Sequence, residues 1–300
     1  MTTEPEHAID VEKLTKRYGD LLAVNDISFH VRTGEVFAFL GPNGAGKTTT
    51  VEIIETIRTP TSGTVRLLGM DVTTRKRDIV PRIGVLPQGF SSFDRITVRE
   101  TIQYYARLFG CRNTDVDGLI ELANLKDKSK EQFKNLSGGL KQRLGIAIAL
   151  VNDPEVVFLD EPTTGLDPRS KLEVQDFIRE VRRTHDATIL LCTHDLQEAE
   201  ILSDRIGILL DRGLAAEAWR HGLVVDREKE IRAAGRIAET VGGGQQHFRR
   251  GDLEPARQRL DRPAARRQNG PEDILAGRHL MDRDDARENH ARVTDRMRRD

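Results

Sequence analysis

Short apolar runs that stop at a glycine, a proline or an acid recur through the first two thirds of the chain. Val36–Leu40 runs into Gly41-Pro42, Thr64–Leu68 into Gly69, Ile83–Leu86 into Pro87, and Val156–Leu159 into Asp160-Glu161. Thr188–Cys192 is a fifth run of this kind. Strands that are apolar at every position are buried on both faces, which predicts a mostly parallel sheet under helices. Helical periodicity falls between the runs, over Thr48–Ile57, Val98–Phe109, Lys141–Val151 and Lys171–Val181. Thr97–Leu136 holds no strand-like run, so a helical insert is expected across about residues 90–140. The fold class is α/β.

The pattern changes near residue 210. Ten of the eleven lysines lie at or before Lys171, whereas residues 211–300 hold 19 arginines and one lysine. Leu, Ile, Val and Phe number only 14 in those 90 residues, too few to build a core readily. The expected organisation is therefore a globular domain over 1–210 and an Arg-rich tail over 211–300. In the tail, Arg227–Ile237 has the composition of a charged helix and Gly242–Gln246 that of a flexible break. The formal net charge of −1 excludes a protein that coats nucleic acid by charge, and no nucleic-acid partner is expected. No apolar run approaches membrane-span length, and Met1–Asp10 lacks the apolar stretch of a signal peptide. Two cysteines, Cys111 and Cys192, cannot form a disulfide framework and suit a reducing compartment.

Chemistry enters at Gly41-Pro42-Asn43-Gly44-Ala45-Gly46-Lys47-Thr48, which fits the spacing G-x-x-x-x-G-K-[ST]. Glycines let the backbone turn its N–H groups onto phosphate oxygens, and the following helix directs its positive end at the anion. Lys47 then reaches the β- and γ-phosphates and the Thr48 hydroxyl binds Mg²⁺. The alternative is a glycine-rich turn without a ligand. Asp160-Glu161 ends an apolar run with two adjacent carboxylates, an expensive pattern unless they have partners. Asp160 is expected to meet Mg²⁺. Glu161, on the other side of the pleat, is expected to orient or deprotonate the water that attacks the γ-phosphate. The bland reading is a pair of solvated acids at a turn. Ser137-Gly138-Gly139 opens another helix and is either a second anion site or an ordinary capped helix.

In order and spacing, these segments resemble the ATP-binding subunits of ABC transporters over about residues 8–210. Gly41–Thr48, with Thr49 beside it, corresponds to the Walker A segment, Gln88 to the Q-loop, and Leu136–Gly139 with Gln142 to the signature. Val156–Asp160 followed by Glu161 corresponds to Walker B, Gly165-Leu166-Asp167 to the D-loop, and His194 to the switch histidine. Tyr18 matches the aromatic that stacks on adenine; its other reading is a surface ring on a strand. The resemblance implies a P-loop NTPase core, an N-terminal antiparallel β subdomain and the helical insert. It implies an ATPase that binds ATP and Mg²⁺. Lys47, Gln88, Glu161 and His194 act in catalysis, and Thr48, Gln88 and Asp160 hold the metal. It also implies a head-to-tail dimer in which Ser137, Gly138 and Gly139 of one subunit meet ATP bound on the other, with Asp167 at the interface.

Further expectations follow from the same resemblance. The partner is a second copy or a paralogous subunit, together with a separate transmembrane permease, at the cytoplasmic face of a membrane. Phe90 and Phe93 are expected to face the permease, while Tyr104 and Tyr105 pack the insert's own core. Leu140 and the insert spacing resemble exporter-type subunits. The rival readings are an ABC-type ATPase that is not a transporter, a non-catalytic regulatory subunit, and a defective product. The last is motivated by Asp211–Glu217, a family hairpin one residue short, and by the unfamiliar sequence of Trp219–Arg267. Translation out of frame over part of 212–270 and a solvated extension are the two accounts of the tail. The Glu272–Arg278 run again resembles the end of exporter-type subunits.

Overall fold

Four of the five apolar runs lie side by side in one sheet. A computed structural model describes residues 6–210, 212–219 and 222–224, all within one compact unit. The elements in chain order begin with β1 (His7–Tyr18), β2 (Leu21–Arg32), β3 (Val36–Leu40), α1 (Lys47–Ile54), β4 (Ser62–Leu67) and β5 (Met70–Asp71). Next come α2 (Lys76–Ile79), β6 (Ile83–Leu86), α3 (Val98–Leu108), α4 (Val116–Leu122) and α5 (Gly138–Ala149). The rest are β7 (Val156–Asp160), α6 (Pro168–His185), β8 (Thr188–Thr193), α7 (Leu196–Leu202), β9 (Arg205–Leu210), β10 (Gly213–Trp219) and β11 (Gly222–Val224).

The larger sheet has the order β11-β10-β9-β3-β8-β7-β6. From β9 to β6 every pairing is parallel. The interiors of β3, β7 and β8 are apolar because both faces are covered. Phe37 and Phe39 enter one core layer while Val36, Ala38 and Leu40 enter the other, and Val156/Phe158 and Val157/Leu159 divide in the same way. The strand expected over Thr64–Leu68 forms, but it does not join this sheet. It belongs to an antiparallel sheet of order β2-β1-β4-β5. The reason is its alternation: Val65 and Leu67 are buried while Thr64 and Arg66 face solvent.

The insert contains α3, α4 and short 3₁₀ turns. Thr97 caps α3 in a reciprocal capping box with Glu100, and Asp115 caps α4. The sheet continues past residue 210: β10 pairs antiparallel with β9, closing on Leu210 opposite Gly213, and β11 pairs with β10. The charged-helix expectation at Arg227–Ile237, the Gly242–Gln246 break and the Glu272–Arg278 run lie outside the described residues. Among the described residues no helix is long and apolar enough to cross a membrane.

Candidate functional site

The loops that carry the expected chemistry leave the same edge of the parallel sheet. Gly41–Lys47 follows β3, Glu161 follows β7, His194 follows β8 and Gln88 follows β6. Because β3, β8 and β7 are adjacent, the first three loops share one crevice at the carboxyl ends of the strands.

The cradle is shaped by its glycines. Gly46 sits at φ 97° as the residue before α1, and a Cβ there would lie 2.7 Å from the Ala23 carbonyl oxygen. That position therefore excludes every side chain. No side chain caps α1 and no acid occupies its first turn, in contrast to the side-chain caps on α3 to α7. The first N–H groups of α1 are thus left for an anion. The Lys47 ammonium, 6 % exposed, donates to the carbonyl oxygens of Gly41 at 2.5 Å and Pro42 at 3.2 Å. It also lies 3.9 Å from Glu161 Oε1.

Asp160 and Glu161 do not alternate along a pleat as expected. Asp160 is the last residue of β7, paired with Cys192, whereas Glu161 leaves the strand in a left-handed conformation at φ 51°. Its N–H donates to the Cys192 carbonyl at 2.9 Å, which fixes the start of the loop against β8. The turn buries the Glu161 carboxylate and brings it to His194, with 2.7 Å between Oε2 and Nδ1. The Thr164 hydroxyl donates to the same oxygen at 2.7 Å. Sequence reasoning did not single out Thr164; the only signal was its hydroxyl three residues beyond Glu161.

Burial pushes the Asp160 carboxyl above the ordinary range, the Glu161 charge adds to this, and Lys47 opposes it. A cation would relieve the crowding of these two acids. Thr48, Gln88 and Asp160 supply hard oxygen donors from three different elements, with Thr48 and Gln88 exposed. Among the described residues no cluster of three His, Cys, Asp or Glu side chains stands ready to hold a metal. The donor set therefore fits an ion that takes its remaining ligands from phosphate and water, as Mg²⁺ does. The Cys192 thiol is pushed well up by burial and stays protonated.

Ser137 caps α5 as expected, accepting from Leu140 N–H at 3.4 Å, and the helix starts at Gly138, ahead of the periodic stretch that begins at Lys141. A Cβ at Gly139 would come within 2.8 Å of Ser170 Cβ, and one at Gly138 within 3.1 Å of Leu166 Cδ2. The segment therefore packs against Leu166 and the first turn of α6. Asp167 caps α6, accepting from the N–H groups of Arg169 and Ser170 at 3.1 and 3.0 Å. No hydrogen bond or ion pair among the described residues joins Ser137–Gly139 to Lys47, Glu161 or His194. Tyr18, at the end of β1, is 38 % exposed, and the Lys16 and Arg58 cations lie 5.0 and 5.5 Å from its ring centroid.

The aromatic assignments divide differently from expectation. Phe90 packs against the core, 5.9 Å from the Phe133 ring and 6.4 Å from Tyr105. Phe93 and Tyr104 instead face outward together, in an edge-to-face contact at 5.2 Å. Phe90 turns inward because it lies over Gly145 of α5, where the missing Cβ leaves space for its ring.

Similarity to other proteins agrees with this geometry. The ABC transporter family profile matches residues 24–164. The chain is 43 % identical over 228 residues to the Nod factor export ATP-binding protein I of Burkholderia orbicola (strain AU 1054), covering 74 % of this chain and 73 % of that one. It is 42 % identical over 229 residues to the protein of the same name from Rhizobium meliloti (strain 1021), covering 75 % and 68 %. Among solved structures, the ADP conformation of the ATP-binding cassette MJ1267 superposes with a TM-score of 0.68 at 20 % identity, over 80 % of this chain and all of that one. The dimeric post-hydrolysis cassette MJ0796, bound to ADP and Pi, gives 0.63 at 24 %, over 72 % and 100 %. The chain belongs to the ABC transporter family, as an ATP-binding subunit of the ATP-hydrolysing kind.

Proposed function

We propose that Glu161 handles the attacking water, with Lys47, Gln88 and His194 arranged around the γ-phosphate. The single observation that carries this is the buried Glu161 carboxylate, 2.7 Å from His194 and 3.9 Å from Lys47, beside an uncapped helix start. Backbone N–H groups of Gly41–Thr49 cradle the phosphates, and Tyr18 offers a ring face to the base. Thr48, Gln88 and Asp160 would hold Mg²⁺, which when bound neutralises charge on the β- and γ-phosphates. Thr164 and His194 fix the Glu161 carboxylate so that one oxygen is directed at the water. His194 then presents its Nε2 side to the phosphate.

The ATP site is completed by a second subunit. Ser137–Gly139 lies apart from the cradle of its own chain, so its N–H groups are available to ATP bound on a partner, with Asp167 at the seam. The nucleotide-binding unit takes in residues 1–210, with β10 and β11 attached to its edge. A separate permease docks at the outward pair Phe93 and Tyr104, which holds the chain peripherally at the cytoplasmic face of the membrane. Two relatives at 42–43 % identity carry export in their names, which supports an exporter.

The dimer is tested with Glu161→Gln by light scattering. With ATP this variant is expected to double in mass, and the further change Ser137→Arg to keep it monomeric. A monomer at saturating ATP, with nucleotide bound, contradicts the shared site.

A further inference from the structure

Beneath the Glu161–His194 pair lies a second buried polar group, reached from α7. Glu198 is 1 % exposed. Its Oε1 accepts from the Thr163 hydroxyl at 2.6 Å and its Oε2 from the Thr193 hydroxyl at 2.5 Å. Thr163 stands two residues after Glu161, and Thr193 immediately precedes His194. One carboxylate therefore grips both reactive loops from below.

This is not the ordinary use of an acid in the first turn of a helix. Asp195 caps α7 by accepting from Glu198 N–H at 3.1 Å. In a capping box the acid three residues on would return to the N–H of the cap residue. Here the Thr193 hydroxyl takes that N–H at 3.0 Å, and Glu198 spans the two loops instead. Lys171 of α6 pairs with Asp195 from the other side. Burial pushes the Glu198 carboxyl up, against the pull of its two hydroxyl donors.

We infer that Glu198 is a positioning residue for ATP hydrolysis, holding the Glu161 loop and the His194 strand end in one register through Thr163 and Thr193. The inference rests on the proposed roles of Glu161 and His194. A displacement of about 1 Å at a reacting group costs up to about a hundredfold in rate.

The test is steady-state hydrolysis by the full chain, with kcat referred to titrated ATP-binding sites. Glu198→Ala is expected to lower kcat by about tenfold or more with KM for ATP changed less than about twofold. Glu198→Gln, whose amide can still bridge both hydroxyls, is expected within about threefold of wild type. A purely structural role would instead lower the number of binding sites and leave kcat per site intact. Should Glu198→Ala fail to fold, the isosteric changes Thr163→Val and Thr193→Val decide, with the same fall in kcat expected. Wild-type kcat per site in these variants, with Glu161→Gln inactive, overturns the inference alone. Wild-type turnover by Glu161→Gln overturns the underlying assignment and the inference with it.

Discussion

His194 Nδ1 and Glu161 Oε2 lie 2.7 Å apart although 33 residues separate them in the chain. The contact exists because β7 and β8 are neighbours and both loops leave at their carboxyl ends. A proton on Nδ1 serves the Glu161 carboxylate, and Nε2, the outward atom, donates to phosphate when it carries the second proton. Replacing His194 by Ala should lower ATP turnover by about a hundredfold, the scale seen when one stabilising donor is removed. ATP affinity should change little. Titration calorimetry beside a phosphate-release assay separates the two; a parallel loss of affinity contradicts this role.

Gly46→Ala tests the cradle. The new methyl would stand 2.7 Å from the Ala23 carbonyl on a backbone at φ 97°. Strain of at least about 1 kcal/mol is expected, so the loop must shift and nucleotide affinity must fall. Unchanged ATP binding would show that the loop geometry is not what holds the phosphates.

Glu55 provides a pH test. Its carboxyl, buried at the end of α1, is pushed from 4.5 up to about 8, chiefly by burial and then by the Asp160 and Glu52 charges. The folded state thus holds a proton that the unfolded chain releases. The stability this gives is complete below about pH 4.5 and is lost as pH rises through about 8, at no more than about 1.4 kcal/mol per unit. Glu55→Gln should raise the unfolding temperature at pH 8 and make little difference at pH 5. A difference between variant and wild type that is the same at both pH values contradicts it.

Phe93 and Tyr104 form an outward aromatic pair at the insert. Asp at both positions should abolish co-purification with the permease, with nucleotide affinity as the control for folding. Retained co-purification places the permease elsewhere.

Much of this site was legible because its residues are local in sequence. The cradle, Asp160-Glu161 and His194 each follow an apolar run that is buried on both faces, and such runs are visible without a structure. The antiparallel strands β1 and β2 were harder to read. Their alternation is broken by shifts in register, with Lys13 and Asp26 at positive φ. Ser137 was legible as the cap of α5, although Gly138 and Gly139, which follow it, are poor helix formers. Ser170 leaves no room for a Cβ at Gly139, and Leu166 Cδ2 would crowd one at Gly138. Thr164 and Glu198 gave no periodic signal, since their importance lies in partners brought close by the turn after β7 and by α7.

The most direct measurement pairs ATP binding with hydrolysis in Glu161→Gln. The change keeps the shape of the side chain and removes the charge that faces Lys47 and His194. The expected result is wild-type ATP affinity with turnover reduced by at least about a hundredfold. Hydrolysis near the wild-type rate would contradict the assignment of Glu161.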